Sequence, residues 1–382
     1  MLIFFTIFLS VYTALNYYIF IRGWQVLAAY PFLKPFYIIL FILVAYSYII
    51  TKVFYKYLHP TVHDVLIWIG SFWFAFFVYF ILSIVVIDII RFVGFHFDLF
   101  PKFITGNYEK AKLLTAAAVI IFVSIIVIKG YINTRSINIK TLEIEIPKGS
   151  SQLNELNIVM AGDIHLSPIN GEKLLSDIVE KINSLNPDII FFPGDIVDDR
   201  AEVLKRLGIG ESFKKLKSKY GVYASNGNHE FINGVEEADK YMTEFGLSVL
   251  RDEAIKIDDK FYVAAREDRS ISGFTGKSRK TLEDIIAEVD KCYPVILLDH
   301  TPSGLDEAMN NGIDLQLSGH THHGQFFPGN LITNLVYEVS WGYLKKENTN
   351  YYVTCGVGTW GPPVRNASRS EIVNIKVKFV KS

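Results

Sequence analysis

The chain has 382 residues, which is enough for about two domains. Half of the residues are hydrophobic and 14% are aromatic, a high share for a protein that is soluble throughout. The formal net charge is −1 and no block of basic residues occurs, which argues against nucleic acid as a partner. The two cysteines, Cys292 and Cys355, lie far apart and form no zinc or disulfide motif.

The charged residues divide the chain into two parts. Residues 1–130 hold nine of the 38 Lys and Arg residues and four of the 39 Asp and Glu residues. This part is apolar and slightly basic, whereas residues 131–382 have the composition of a mildly acidic globular domain. The contrast predicts a transmembrane region over residues 1–130, followed by a second domain over residues 131–382.

Four runs in the first part contain no charged side chain. A helix needs roughly 20 apolar residues to cross a bilayer, with about 17 as the lower limit. The fourth run is short and reaches that length only if the flanking Lys112 and Lys129 extend to the interface. A secretory signal is the alternative for the first run, but the run lacks a basic n-region and a cleavage site. The predicted spans cover residues 1–21, 33–51, 65–88 and 112–129.

The orientation in the membrane stays undecided at this stage. With four spans, six Lys and Arg residues fall in loops on one side, against five on the side of the second domain. This difference is too small to orient the chain. The sequence therefore predicts a multi-pass integral membrane protein, and leaves its orientation and its oligomeric state open.

Alternating strands and helices begin near residue 131. Short apolar runs predict buried strands, and a periodic run over residues 171–186 that stops before Pro187 predicts a helix. Alternation of strand and helix is typical of a covered, largely parallel sheet. The predicted strands cover residues 141–146, 156–161, 188–192, 220–224, 294–298 and 313–317.

Five of these strands end in a polar cluster. In open α/β sheets ligands bind beyond the carboxyl ends of the strands, so we expect the five clusters to meet at one site. Two histidines two residues apart at the last strand place both imidazoles on one side of the backbone. The clusters are Asp163-Ile164-His165, Gly194-Asp195-Ile196-Val197-Asp198, Gly227-Asn228-His229-Glu230, Asp299-His300 and Gly319-His320-Thr321-His322-His323.

The side chains in these clusters suit metal ions. Carboxylate, amide and imidazole ligands without a thiolate favour Mn, Fe or Zn at a reactive centre. If Asp195 bridges, the seven candidates supply two ions with four ligands each. Two ions about 3.5–4 Å apart, with a hydroxide between them, are a known arrangement for displacement at phosphorus. The candidate ligands are Asp163, His165, Asp195, Asn228, His300, His320 and His322.

Further polar residues are assigned by their position beside these ligands. His229 follows Asn228 and is predicted to be the general acid for the leaving group, with a supporting hydrogen-bond role as the alternative. Asp198 either orients a ligand or caps the local backbone. His323 and the arginines Arg266 and Arg269 of a basic loop are predicted to contact the substrate.

The five motifs, in this order, resemble those of the calcineurin-like metallophosphoesterase family over about residues 150–380. The segment from Gly356 to Arg365 and the Gly-Gln after the last histidines resemble its membrane-associated, YkuE-like branch. The sequence departs from that branch at His323, where branch members have Gly, and at residues 264–269, which replace an expected turn.

The resemblance implies a four-layer αββα sandwich of two mixed sheets with helices outside. It also implies how the ligands divide between the metals, with Asp195 common to both sets. One set is Asp163, His165, Asp195 and His322, and the other is Asp195, Asn228, His300 and His320.

The function predicted from the sequence is that of a membrane-tethered phosphohydrolase. A metal-bridging hydroxide would attack a phosphoester or pyrophosphate, and the membrane tether favours a lipid-linked substrate. The alternatives are a phosphodiesterase for soluble nucleotides and a non-catalytic metal-binding interaction module on the same scaffold. A transporter or sensor is disfavoured, because no span holds a central pair of charges.

Overall fold

A computed structural model describes residues 2–147 and 153–380, with side chains from residue 5 onward. The chain divides into two compact units, Met1–Tyr131 and Ile132–Ser382. The first unit is helical throughout its described part, and the second contains all of the strands described below.

The first unit consists of long apolar helices joined by short turns. Helix α1 covers the first predicted span apart from Met1, which lies outside the described residues. Helix α3 runs well beyond the length that a bilayer requires. The helices are α1 Leu2–Val26, α2 Lys34–Phe54, α3 Pro60–His96, α4 Lys102–Thr105 and α5 Tyr108–Thr134.

Three helical stretches in the described part of the chain are long and apolar enough to cross a membrane. They are Pro31–Tyr57, Pro60–His96 and Tyr108–Thr134, and they contain the second, third and fourth predicted spans. The first predicted span is not among them and stays a prediction. Packing within the unit depends on small residues, since a Cβ at Gly70 of α3 would lie 2.4 Å from the backbone nitrogen of Tyr48 in α2.

The second unit alternates strands with short helices. Its elements are β1 Asn138–Pro147, β2 Glu155–Met160, α6 Glu172–Ser184, β3 Ile189–Pro193, α7 Ala201–Arg206, β4 Val222–Ser225, α8 Asn228–Asn233, α9 Val235–Glu244, β5 Ser248–Val249, β6 Glu253–Ile257, β7 Phe261–Arg266, α10 Ile271–Thr275, α11 Leu282–Ile285, β8 Val295–Asp299, α12 Asp306–Asn310, β9 Leu315–Ser318, α13 Gly329–Val336, β10 Gly342–Lys346, β11 Thr349–Val353 and β12 Glu371–Val380. The six strands and the helix predicted from periodicity all lie where expected, within about two residues at most boundaries.

The strands form two sheets of six. The first has the order β1-β12-β2-β3-β4-β5, and the second has the order β10-β11-β9-β8-β7-β6. Both sheets are mixed. In the first sheet, β2, β3, β4 and β5 are parallel, and β12 pairs antiparallel with β2. In the second sheet, β11, β9, β8 and β7 are parallel, and β10 and β6 pair antiparallel at the two edges.

The two sheets pack face to face with helices on the outside, as alternation along β3 illustrates. Ile189 and Phe191 point into a core shared with the second sheet, whereas Ile190 and Phe192 point into a core shared with the helices α6 and α9. A third core packs α11 and α12 on the outer face of the second sheet. Because successive strand residues face opposite sides, continuous apolar strands require cover on both faces. The predicted four-layer αββα fold is confirmed.

This arrangement places the polar clusters at one edge of the sandwich. Strands β2, β3 and β4 end side by side in one sheet, and β8 and β9 do so in the other. The hydrophobic cores do not extend to these carboxyl ends, so the residues that follow the strands can be polar.

Candidate metal centre

The candidate ligands from five strand ends lie within contact distance of one another. The Nε2 atoms of His165 and His322 are 2.9 Å apart, although His165 follows β2 and His322 follows β9. Oδ1 of Asp163 lies 3.5 Å from Nε2 of His322. These three side chains form one buried group whose ligand atoms all lie within 4.8 Å of each other.

A second group lies beside the first. It contains Asp195, His300 and His320, again with ligand atoms within 4.8 Å. Oδ1 of Asn228, at the start of α8, lies 2.9 Å from Nδ1 of His320. The amide oxygen therefore lies among the imidazoles, where a metal ligand would be needed.

Asp195 lies between the two groups. Its Oδ2 atom is 3.1 Å from Nε2 of His300 and 3.7 Å from Nε2 of His165. One carboxylate thus reaches the imidazoles of both groups, which is the geometry that a bridging ligand requires.

The backbone at the site is tightly constrained. A Cβ at Gly319 would lie 2.4 Å from Oδ2 of Asp163, so only glycine allows the chain to approach this carboxylate. Several candidate ligands have left-handed backbone angles, which cost on the order of 1–3 kcal/mol each and occur mainly at functional sites. They are Asp163, His165, Asp195, His320 and His322, with φ between 48° and 72°.

Burial keeps most of the imidazoles neutral. Burial and the neighbouring His229 lower the pKa of His165 to about 3, and burial and His300 lower the pKa of His320 to about 4. Burial also lowers the pKa of His322 well below its usual range. Since a metal binds the neutral imidazole, these histidines are in the protonation state that ligation requires.

The two carboxylates carry the negative charge of the pocket, and His300, whose pKa Asp195 raises well above its usual value against the effect of burial, carries an opposing positive charge. Burial and the adjacent Asp195 raise the pKa of Asp163 to about 7. Burial acts in the same direction on Asp195, but His300 and His229 outweigh it and hold the pKa of Asp195 well below its usual value. A pair of buried carboxylates in one pocket is stabilised by a cation between them.

Unpartnered buried atoms test whether metal ions fit this site. Oδ2 of Asp163 and Nδ1 of His165 are buried and accept or donate no hydrogen bond. Nε2 of His300 also makes none, because its contact with Asp195 at 3.1 Å lacks hydrogen-bond geometry. Buried polar atoms are normally satisfied, so orphaned atoms converging on one pocket fit a bound ion.

His229 lies beside both groups, and its ring nitrogen forms a further set with the ligand atoms of His165 and Asp195, all within 4.8 Å of one another. Its Nδ1 atom is 2.5 Å from Oδ1 of Asp198, and the ring makes an edge contact with His165. Burial lowers the pKa of His229, but Asp198 and Asp195 outweigh it and raise that pKa to about 9. Asp198 thus orients the imidazole and favours its protonated form.

The predicted substrate contacts are placed differently from the ligands. Arg266 is buried, and its guanidinium donates to Glu307 at 2.7 Å and to the Lys280 carbonyl at 3.1 Å. Its guanidinium is thus occupied by internal partners, and Arg266 is not proposed to contact the substrate.

Arg269 is exposed and donates to the Ser303 carbonyl. His323 belongs to none of the groups of ligand atoms in the described chain; its Nδ1 atom lies 2.9 Å from Ser340 Oγ.

Sequence reasoning missed the function of Glu230. This fully buried carboxylate accepts hydrogen bonds from the backbone N–H groups of Asp195, Ile196, Val197 and Gly227, at 2.7–3.0 Å. It therefore holds the loop after β3 against the loop after β4. The position of Glu230 at the end of the Gly-Asn-His-Glu motif indicated a role at the site, but only the structure shows which backbone groups it binds.

Arg365 is a second missed residue. Its guanidinium is fully buried and donates to the Cys355 carbonyl at 2.6 Å, to Ser368 Oγ at 2.7 Å and to the Gly358 carbonyl at 2.5 Å. Nη2 also lies 3.0 Å from Nδ1 of His322. Arg365 thus connects the glycine-rich loop after β11 to the back of a candidate ligand.

Replacing Glu230 by glutamine should destabilise the site. Each carboxylate oxygen accepts from two backbone donors, so either orientation of the amide turns its NH₂ group towards two N–H groups. We expect Glu230→Gln to lower the free energy of unfolding by about 1–3 kcal/mol or more. Thermal unfolding and metal content per chain measure the effect, and Glu180→Gln, on the exposed face of α6, is the control. Equal stability of the two variants would contradict the role of Glu230.

Comparison with known proteins places this geometry in a family. The family model for calcineurin-like phosphoesterases matches residues 156–324, which contain all seven candidate ligands. A metallophosphoesterase of Aquifex aeolicus is 35% identical over 242 residues, which cover 62% of this chain and 90% of that protein. A metallophosphoesterase of Campylobacter jejuni is 30% identical, with 68% of this chain and 70% of that protein covered.

A relative with membrane helices is also found. A transmembrane protein with a metallophosphoesterase domain from Danio rerio is 33% identical over 290 residues, which cover 72% of this chain. The matched part spans 64% of the Danio rerio protein, slightly under two thirds of its length. The YkuE-like branch is not distinguished by these matches and stays a prediction. The family match and the extent of these similarities show that the chain belongs to the calcineurin-like phosphoesterase family.

Proposed function

We propose that the protein is a membrane-associated phosphohydrolase that holds two divalent metal ions. The observation that carries the proposal is the convergence of seven O and N side chains, five of them buried, at one edge of the sandwich, where three buried atoms of this set have no hydrogen-bond partner. The three helical stretches of sufficient length and the transmembrane relatives support attachment to a membrane.

The ligands divide between two sites in this proposal. The first site uses Asp163, His165 and His322, and the second uses Asn228, His300 and His320; Asp195 serves both. The O and N donor set without sulfur suits Mn, Fe or Zn. When bound, such ions lower the pKa of water and neutralise the charge on a phosphoryl oxygen.

The protein's own groups complete the chemistry. His229 acts as general acid: its Nδ1 atom faces Asp198, so Nε2 holds the proton that is given to the leaving oxygen. Glu230 and Gly319 fix the distances between ligands by holding the loops together and by allowing close approach of the backbone. In hydrolysis the oxygen of water forms a bond to phosphorus as the bond between phosphorus and the leaving oxygen breaks, and the leaving oxygen takes the proton from His229.

Replacing the bridging carboxylate tests the two-metal proposal. Asp195→Asn keeps the shape of the side chain but removes the charge that both sites share. We expect metal content to fall to one ion or none per chain and hydrolysis of an aryl phosphoester to be lost, while the fold is kept. Elemental analysis and circular dichroism measure this, with Asp177→Asn on exposed α6 as the control. Two ions still bound to Asp195→Asn would refute the bridging role.

Replacing the general acid tests the role of His229. We expect His229→Ala to lower kcat on the order of 10²–10⁴-fold for alkyl phosphoesters, whose leaving groups need a proton. A p-nitrophenyl ester needs less assistance and should lose less. The exposed His59 supplies the control variant His59→Ala. An equal loss on both kinds of ester would indicate that His229 positions the substrate instead.

We further propose that the substrate is a lipid-linked phosphoester or pyrophosphate. The support comes from α13, which follows the last candidate ligands and has no buried residue. Leu335 is 89% exposed and Ile332 is 62% exposed, and Leu331, Val336 and Phe327 are exposed as well. A soluble domain rarely exposes such a cluster of large apolar side chains unless it binds something apolar.

The apolar helix lies close to the candidate site. Tyr337, directly after α13, makes an edge contact with the ring of His320 at 6.1 Å between centroids. Trp341 packs against His323 at 5.2 Å and is itself partly exposed. An amphipathic helix of this kind can lie in a bilayer interface, where it would bring the phosphoryl group of an embedded lipid to the metal centre.

Polar substitutions on α13 should separate lipid substrates from soluble ones. We expect the double variant Ile332→Gln and Leu335→Gln to lower the rate on a lipid phosphoester in vesicles roughly tenfold, because two side chains lose their favourable transfer from water. The rate on a soluble aryl phosphoester should not change. The matched control is the double variant Ile139→Gln and Leu207→Gln, which alters exposed apolar residues elsewhere. Equal losses on both substrates would contradict a bilayer contact.

A further inference from the structure

The helical unit contains a partly open cavity with a volume of about 600 Å³. This volume is within the range of about 300–1,000 Å³ that is usual for small-molecule sites. Helices α1, α2, α3 and α5 all contribute to its walls. Most of the lining is apolar, including Phe41, Trp73, Phe80, Ile84, Val119 and Ile120.

Charged side chains line the cavity where the ends of the helices meet. Arg22 lies near the end of α1, Asp88 and Arg91 lie near the end of α3, and Lys112 lies in the second turn of α5. The lining therefore carries three cations against one carboxylate. Lys112 also pairs at 2.7 Å with Glu109, which points outward and is not part of the lining.

The contacts of Arg22 and Asp88 hold this charged end in place. Asp88 accepts hydrogen bonds from Arg22 and from the Tyr18 hydroxyl, and Arg91 lies 3.9 Å from its other oxygen. Arg22 donates a second bond to Gln25 at 3.1 Å, but its Nε atom is buried and has no hydrogen-bond partner. Asp88 thus faces the two arginines and Glu109 pairs with Lys112, which leaves one positive charge in excess, and a buried donor of Arg22 remains unsatisfied.

We propose that this cavity binds a phospholipid with an anionic phosphate head group. The phosphate would contact Arg22, Arg91 and Lys112, while an acyl chain would fill the apolar part between α3 and α5. Basic pockets between membrane helices are known to bind anionic lipid head groups. A soluble anion would leave the aromatic and aliphatic walls in contact with water, which favours the lipid as occupant. This lipid site is separate from the metal centre and does not depend on the function proposed for it.

Native mass spectrometry of the full-length protein in detergent micelles tests the proposal. The probes are dioleoyl phosphatidic acid, dioleoyl phosphatidylcholine and glycerol 3-phosphate, which separate the contribution of the phosphate from that of the acyl chains. We expect one saturable site for phosphatidic acid, weaker binding of phosphatidylcholine and little competition by glycerol 3-phosphate. The double variant Arg91→Gln and Lys112→Gln should weaken binding of phosphatidic acid roughly tenfold or more.

Two matched controls accompany these variants. The double variant Lys102→Gln and Lys110→Gln removes the same charge from the same region of the chain but not from the cavity lining, and should bind as the wild type does. Ala116→Trp fills the cavity and should abolish the saturable site, whereas Ala117→Trp on the exposed face of α5 should not. Circular dichroism and size-exclusion chromatography report whether each variant is folded.

Three outcomes would overturn the proposal. Equal affinity for the two phospholipids would show that the site does not recognise anionic charge. Equal loss in the cavity variants and their controls would assign binding to surface charge. Full competition by glycerol 3-phosphate would show a phosphate site that does not use the apolar cavity.

Discussion

The candidate metal centre depends on the burial of charged and polar side chains at the ends of parallel strands. Asp163 and Asp195 are buried in the same pocket, and their mutual repulsion and loss of hydration would be strongly destabilising without compensating positive charge. Hydrogen bonds from backbone N–H groups and the nearby His300 supply part of that compensation. The orphaned atoms indicate that the remainder is the task of bound cations. Bound cations are therefore expected to stabilise this part of the domain.

The two-sheet architecture is what brings the ligands together. Asp163 and His322 are 159 positions apart in the chain, yet they lie in contact because β2 and β9 belong to sheets that pack face to face. Neither sheet carries a complete site. Glu230 connects two loops of the first sheet, and Arg365 contacts His322, so buried hydrogen bonds hold the candidate ligands in place.

Three apolar features of the chain support the proposed attachment to a membrane. Within a long helix the backbone N–H and C=O groups bond to one another except at the two ends, which is what allows such a helix to enter a bilayer. Helix α13 exposes apolar side chains next to the metal centre without having the length to span. The cavity beside Arg22 and Lys112 adds a place where a lipid head group can be recognised. A membrane helix, an interfacial helix and a lipid cavity use the same driving force, the transfer of apolar groups out of water.

Local sequence patterns were sufficient for the strands and for the candidate side chains at their ends. Apolar runs identified the strands before Asp163, Asp195 and His320, because strand period and burial are properties of a few consecutive residues. The fold class and the family followed from the order of these motifs. Only the tertiary structure shows that Arg266 is buried and pairs with Glu307. The same is true of the hydrogen bonds by which Glu230 holds two loops together and of the exposed apolar side chains of α13. Each of these depends on which distant segment packs against a residue, and that information is absent from the spacing of residues along the chain.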